Sequence, residues 1–330
     1  MVYSDAFIAT KTGVVVVNYC RVQDTLACLQ ALARLNTPPK RIVVVDNGSD
    51  DDSVARLQHA LAAPIRGTRP ELLVLADNRG FAGGNNAALR FLLQDSGCHS
   101  FWLLNNDTKP APEALDALCA RLGQLTQPGA CGSLLVHMDE EERVQCLGGG
   151  RLQRLIGTTS HLGDGLRREA TQGIHIQAVE SQLDYICGAS LLVTRKSLLD
   201  VGFLDESYFL YYEDVDWGVR MRRHGYDLGF ANSSVVVHKE GASTGACSAR
   251  TRGETPQRST LVDYLSLRNR IWLMRKMFPW SLPLVLVGSL GVLARRYQRG
   301  QVDRFPLLLR AIRDGLTGRM GTPVVPKNTP

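Results

Sequence analysis

Residues 211–217 read Tyr-Tyr-Glu-Asp-Val-Asp-Trp, which puts Glu213, Asp214 and Asp216 within four positions, between aromatics, at the start of a helical run ending near His224. Carboxylates this dense repel one another and lose solvation unless a cation or proton donors share the site. A helix start stabilises anions through the aligned peptide dipoles. Glu213 and Asp214 therefore read either as a capping pair or as carriers of a general base for a hydroxyl group. Asp216 is placed to orient or to cap. A second group ends the apolar run of residues 101–107, where Asn105, Asn106 and Asp107 follow Phe-Trp-Leu-Leu. Oxygen donors at a strand tip suit Mg²⁺ or Mn²⁺, ions that commonly bridge a nucleotide diphosphate. The same three residues also make a good turn. His238 closes the run Val235, Val236, Val237. It is either structural or, with Asp107, part of a metal shell, and imidazole suits Mn²⁺ better than Mg²⁺.

Alternating strands and helices must position these groups. Residues 13–19 form a continuous β-branched run, the pattern of a strand buried on both faces of a parallel sheet. A helix follows with Leu26, Leu29, Leu32 and Leu35 at helical spacing and Asp24 or Thr25 as its cap. Strands are predicted at 41–45, 71–75 and 101–104, with helices starting between Asp50 and Ser53, near Ala87, and after Pro112. The sequence DNRGFAGGNN (77–86) reads as a glycine-rich turn opening into the helix of residues 87–93. It has neither the spacing nor the lysine of a P-loop, and it is not GxGxxG. Asn18, Asp46, Asp77 and Asp107 thus tip four strands at their carboxyl ends, the edge where open α/β sheets bind ligands.

From residue 131 to about 180 the pattern loosens, with β-like pieces at 133–136 and 174–179. Strands return at 185–193, 226–230 and 234–237, with the acidic helix between them closing at Gly225. Residues 240–253 read as a mobile loop. Helices are predicted at 261–277, 281–297 and 304–316. Residues 282–294 are apolar for 13 positions, short of the roughly 20 that span a bilayer. Trp280 precedes them, and Arg295, Arg296, Tyr297 and Arg299 follow. A helix packed on the domain and a helix lying in a membrane interface both fit. The division expected is a catalytic α/β domain over 1–255, a helical segment over 256–320 with optional membrane contact, and a disordered tail over 321–330.

The chain of 330 residues is 44% hydrophobic and 21% charged, the composition of a folded protein, with a net charge of +6. Much of the excess base comes late, at Arg250, Arg252, Arg258, Arg268, Arg270, Arg275, Lys276, Arg295, Arg296 and Arg299. It marks a solvated surface, or one that meets an anionic membrane or phosphorylated acceptor. No stacking platform is interleaved with it, which argues against nucleic acid. Eight cysteines without a CxxC pair read as reduced, buried thiols in a cytosolic protein. The first residues, MVYSDAFIATKTG, show no signal peptide. Location is expected in the cytoplasm, with the inner face of the membrane as the peripheral option. The sequence sets no oligomeric state.

In order along the chain, VVVVNY, VVVDNGSDD, DNRGFAGGNN, LLNNDT, CGASLLVTR, FLYYEDVDWGVRMRRHGY and VVVHKEG resemble glycosyltransferase family 2, over about residues 13–275. The chain is most similar to the rhamnosyltransferase-like members that build bacterial surface polysaccharides. The resemblance implies a GT-A fold: a Rossmann-like, mixed but mostly parallel sheet flanked by helices, here with a C-terminal helical appendage. It implies an inverting transfer from a nucleotide-sugar donor to a lipid-linked or polysaccharide acceptor, with L-rhamnose from dTDP-rhamnose as the best-matched sugar. Asn18 and Asp46 match positions that hold the base and ribose. Asn78, Gly80, Gly84 and Asn86 match the donor-binding turn. Asn105, Asn106 and Asp107 replace the family's DxD, keeping only its last carboxylate, so that Asp107 with His238 is left to hold a divalent cation. Asp214 matches the acid of the ED motif, the base, with Glu213 able to take that role instead. Gly188, Ala189, Tyr211, Tyr212 and Trp217 match the acceptor side.

Other readings fit less. Another nucleotide sugar would leave the motifs unchanged. A sugar nucleotidyltransferase shares βαβ halves and acidic strand ends, but it would place a glycine-rich basic loop after the first strand, and residues 18–22 are not one. A non-catalytic nucleotide-binding module is the third reading.

Overall fold

The structure, a computed structural model, describes residues 8–239 and 259–323. The N-terminal residues 1–7, the expected loop with Cys247, the expected boundary at 255–256 and residues 324–330 of the expected tail lie outside the described residues. Strand β1 (Thr12–Asn18) leads into α1 (Val22–Leu32), then β2 (Arg41–Asp46), α2 (Ser53–Ala60), β3 (Glu71–Val74), α3 (Gly80–Leu92), β4 (Ser100–Asn105) and β5 (Thr108–Pro110). Next come α4 (Ala114–Gly123), β6 (Pro128–His137), β7 (Val144–Leu147), β8 (Gly149–Leu152), β9 (Thr159–His161), α5 (Ile176–Glu180), β10 (Tyr185–Ile186) and β11 (Ser190–Thr194). The chain continues through α6 (Arg195–Val201), α7 (Glu213–Arg223) and β12 (Asp227–His238), and then α8 (Thr260–Met277), α9 (Leu282–Gln298) and α10 (Phe305–Thr317).

The main sheet runs β3-β2-β1-β4-β11-β6-β12-β5, with β7 on the side of β6. Its first four strands are parallel, β11 is antiparallel to both neighbours, and β12 is parallel to β6. This is the mixed, mostly parallel α/β sheet expected, with the helical appendage present. The β-branched runs explain it. Val15, Val43, Val45, Phe101 and Leu103 join one buried cluster, while Val14, Val16, Ile42, Val44, Trp102 and Leu104 join the cluster on the opposite face. Both faces are dry, so the strands need apolar side chains at every position. A small second sheet, β10-β8-β9, lies beside the main one.

Several local expectations are corrected. Helix α1 starts at Val22 with no side-chain cap, so neither Asp24 nor Thr25 caps it. Helix α3 starts at Gly80, and Gly83, Gly84, Asn85 and Asn86 lie inside it as buried residues. Tight packing rather than a loop explains those glycines: a Cβ on Gly84 would sit 2.8 Å from Val17 Cγ1. Residues 174–179 are largely α5, not strand. The two strands expected at 226–230 and 234–237 are one, β12 (Asp227–His238), with a register shift between Ala231 and Val235. The predicted strand of residues 185–193 breaks into β10 and β11 around Gly188 and Ala189.

Helices α8, α9 and α10 bury a third cluster, and it includes Tyr208, Phe209, Val215 and Val219 from the segment around the start of α7. The appendage and the acidic helix therefore share one core. Arg268, Arg270 and Arg296 are buried within it, so these three do not belong to a solvated basic surface.

Candidate active site

The tips of β1, β2 and β4 are tied together by side chains. Asn18 Nδ2 donates to Asp46 Oδ2 at 2.8 Å, and Thr25 Oγ1 donates to Asn18 Oδ1 at 2.7 Å. Asn106 Nδ2 donates to Thr25 Oγ1 at 3.0 Å, closing the link to β4. Ser49 gives Asp46 both its N–H and its hydroxyl. Asn18 and Asp46 are fully buried, and their polar atoms serve this network. They brace the sheet edge from within. Beside them Asn78 Oδ1 accepts from Gly80 N and from Asn47 Nδ2, which fixes the turn before α3. Gly84 and Asn86 are further from this edge in role: Asn86 donates to the Leu204 carbonyl and to Glu206.

Strand β5 explains how His238 reaches Asp107. Thr108 pairs with His238 in antiparallel register, so the residue before Thr108 faces the imidazole. His238 Nε2 lies 3.3 Å from Asp107 Oδ1. His238 Nδ1 is 2.9 Å from Gln145 Oε1, an atom that only accepts, so the proton sits on Nδ1. Nε2 then faces the Asp107 carboxylate, where an N–H donates to it or a cation would be held by the same two atoms. Burial alone would raise the Asp107 carboxyl, but the His238 hydrogen bond and charge outweigh it and hold the group below its ordinary value. A carboxylate oxygen and an imidazole nitrogen are donors that would suit Mn²⁺ or Mg²⁺. No group of three or more metal-ligating side chains occurs among the described residues.

The other half of the site is the start of α7. Asp214 is partly exposed. Its Oδ2 accepts from Gly188 N at 3.2 Å, and its Oδ1 accepts from Val215 N at 2.8 Å. Burial, then the neighbouring Cys187, push its carboxyl up to about 6, while the two N–H donors pull the other way. Glu213 is 4% exposed, and its Oε2 has no hydrogen-bond partner among the described residues. Burial, then the adjacent Asp214 charge, raise it well above the ordinary range, so it holds its proton more tightly than a free carboxyl. Asp216 is fully buried between Arg220 and Lys276, at 2.6 and 2.8 Å, and is a structural ion-pair centre.

Gly188 and Ala189 join the two halves. The Ala189 carbonyl accepts from Asn105 N at 3.0 Å, and the next N–H back along the chain, at Gly188, holds Asp214. A side chain on Gly188 would meet Phe81 Cζ at 3.0 Å. The turn before α3 reaches the same place: Phe81 N donates to Phe209 O at 2.7 Å. Gly80 has φ of +71°, and a Cβ there would overlap the Phe209 carbonyl. Tyr211 and Tyr212 are half-buried, and the Tyr212 hydroxyl donates to Gly157 O at 2.9 Å. Trp217 does not reach the cleft. It is fully buried in the main core with its indole N–H on Gly202 O, so it offers no face to a sugar.

The segment between Tyr208 and Tyr212 is strained. Phe209, Tyr211 and Tyr212 have φ of +66°, +71° and +73°, a region that costs a non-glycine residue about 1 kcal/mol or more. Asn269 on α8 holds it there. Its Nδ2 donates to the carbonyls of Tyr208, Leu210 and Tyr211 at 3.0, 2.8 and 2.8 Å. Arg268 adds a bond to Tyr208 O at 3.0 Å. Sequence reasoning missed Asn269, Gln145 and the Cys187 and His161 pair beside Asp214. The one signal was a polar residue on a helical or strand face otherwise apolar.

Residues 13–154 match the family model described as glycosyl transferase family 2. The N-acetylglucosaminyl-diphospho-decaprenol L-rhamnosyltransferase of Mycobacterium tuberculosis (strain CDC 1551 / Oshkosh) is 26% identical over 313 residues, covering 88% of this chain and 94% of that protein. The low-salt glycan biosynthesis hexosyltransferase Agl10 of Haloferax volcanii is 22% identical over 286 residues, covering 85% of this chain and 81% of that one. Among solved structures, GalNAc-T7 with UDP, GalNAc and Mn²⁺ superposes with a TM-score of 0.57 at 13% identity, over 80% of this chain and 47% of that longer one. The mannosyltransferase PcManGT from Pyrobaculum calidifontis with GDP-Man and Mn²⁺ gives 0.54 at 14% identity, over 94% and 88%. Fold and site thus define an enzyme, a glycosyltransferase with the GT-A fold. Its sequence is similar to glycosyl transferase family 2 over residues 13–154 and to a rhamnosyltransferase over most of its length.

Proposed function

We propose that this enzyme moves a sugar, L-rhamnose from dTDP-rhamnose in the first instance, from a nucleotide-sugar donor to a lipid-linked acceptor, with inversion and with Asp214 as base. The observation that carries the reading is the Asp214 carboxylate: partly exposed, raised to about 6, and held by Gly188 in contact with the tip of β4. Such a group is ionised yet basic near neutral pH. It takes the proton of the acceptor hydroxyl as that oxygen attacks the anomeric carbon. Glu213, which holds its proton more tightly, is the lesser candidate.

The donor lies along the strand edge, contacting Asn78, Asn105 and the turn at Gly80, which Asn18, Asp46 and Asn106 brace from beneath. Asp107 and His238 would hold Mg²⁺ or Mn²⁺, which when bound offsets the charge gathering on the departing diphosphate. Tyr211 and Tyr212 flank the acceptor, and the small residues Gly188 and Ala189 leave room for it. The relative that uses an N-acetylglucosaminyl-diphospho-decaprenol acceptor supports a lipid-linked substrate.

The test is incubation with a panel of nucleotide sugars and a polyprenyl-diphosphate acceptor, read by product mass. Transfer from dTDP-rhamnose is expected. Transfer from a different nucleotide sugar would replace rhamnose and leave the chemistry standing. Formation of a nucleotide sugar from a sugar phosphate and nucleoside triphosphate would overturn it.

A further inference from the structure

Helix α9 exposes an apolar face. Its buried residues, Val285, Ser289 and Arg296, point inward. The outward face over its first three turns is Pro283, Leu284, Val287, Leu290, Gly291 and Ala294, none of which carries charge or a hydrogen-bonding side chain. Leu284, Val287 and Leu290 are 50%, 65% and 62% exposed. Trp280 at one end and Tyr297 at the other are exposed to 63% and 69%. Arg295 and Arg299, both exposed, follow the apolar turns. A helix packed on a domain normally turns polar residues to water. Contiguous exposed apolar surface of this kind marks a binding face.

We infer that α9 lies in the plane of a bilayer with anionic headgroups, its Leu284, Val287 and Leu290 face inserted at the boundary between headgroups and acyl chains. The amphipathic aromatics at both ends match the headgroup level, where Trp and Tyr concentrate. Arg295 and Arg299 supply charge complementarity to anionic lipid, in a chain whose net charge is +6. No helix among the described residues is long and apolar enough to cross a membrane, so the geometry is one of lying on it.

This deepens the proposed function and rests on its lipid-linked acceptor. Ser289, on the inward side of α9, accepts from Arg270 at 2.9 Å. Arg270 belongs to α8, the helix that clamps the loop before Asp214. Tyr211 and Tyr212 pack against the same apolar cluster as Leu282 and Leu286 of α9. A docked α9 therefore sets the acceptor side of the cleft beside the surface that carries the acceptor.

The test is flotation of the full chain with vesicles of phosphatidylglycerol and phosphatidylcholine at 0.15 M salt, a readout that needs neither donor nor acceptor. Its failure is thus separate from failure of the transferase reading. Wild type is expected to float with the anionic vesicles. Replacing Leu284, Val287 and Leu290 together by Glu is expected to abolish flotation with little change in the unfolding temperature, since each is at least half exposed. Arg295→Gln with Arg299→Gln is expected to weaken anionic binding roughly 25-fold, about fivefold per arginine. Wild type that stays at the bottom of the gradient overturns the inference. So does equal flotation of the triple variant. Light scattering that shows a dimer broken by the triple variant, with no vesicle binding, would assign the face to a second copy instead.

Discussion

The Asn269 side-chain amide donates to the Tyr211 carbonyl at 2.8 Å, three residues before Asp214 in the chain. A residue from the C-terminal helices thereby holds a strained backbone that sets where the helix carrying Asp214 begins. Asn269→Ala takes a donor from three carbonyls, one buried and two partly buried. We expect a stability loss of about 1–3 kcal/mol and a fall in kcat of roughly 10–100-fold from misplacement of the base. The KM for the donor should move less. Steady-state kinetics beside thermal unfolding check this; lower stability with full kcat would mean Asn269 only packs.

Asp214→Asn is expected to keep donor binding and lose transfer by about 10³-fold. Glu213→Gln should retain most activity. The acid limb of kcat against pH should have its midpoint near 6, because the ionised carboxylate is the active form and is lost as pH falls through that value. Unchanged turnover in the Asp214 variant, or a rate flat down to pH 5, would remove Asp214 from the role.

Chelation by EDTA should abolish transfer and Mn²⁺ should restore it. Asp107→Ala should be inactive with or without added metal. Gln145→Leu removes the acceptor that fixes the His238 tautomer, so Mn²⁺ affinity, read by calorimetry, should drop about 10–100-fold. Activity indifferent to EDTA and to Asp107→Ala would end the metal assignment.

Trp217→Ala should destabilise the fold by about 3–5 kcal/mol, with acceptor KM unchanged in whatever protein remains folded, because the indole lies in the core. A raised acceptor KM at full stability would return Trp217 to the cleft.

Gly80→Ala is expected to lose activity and stability together. The position needs positive φ, and the added methyl would run into the Phe209 carbonyl. Unfolding temperature and donor binding measure both effects.

The parallel half of the sheet was legible because its strands are buried on both faces and leave unbroken β-branched runs, as at Val14, Val15 and Val16. The approach of His238 to Asp107 was an inference from residue type, and β5 gives the physical reason for it. Pairings between distant segments leave no local periodicity, which is why Gln145 behind His238 was invisible. Gly84 and Asn86 looked like turn chemistry because glycine and asparagine favour turns; close packing of α3 against β1 uses the same small residues for another purpose. Trp217 sat in an acidic, aromatic stretch and was read with its neighbours. Three positions on from Asp214, it shares that side of the helix, and only its packing shows the indole buried in the core. Asn269 lay in a helix whose polar residues resemble a solvent face, and only the loop it clamps reveals otherwise.

The clamp on residues 208–211 has a consequence for how the protein is made. Every side chain assigned to the chemistry has left the ribosome by residue 238, but the segment before Asp214 waits for α8. A nascent chain can complete its sheet and remain inert until position 269 emerges. Helix α9 follows α8 directly in the chain, so if its apolar face meets a bilayer as inferred, the segment before Asp214 is fixed at about the moment the chain can dock.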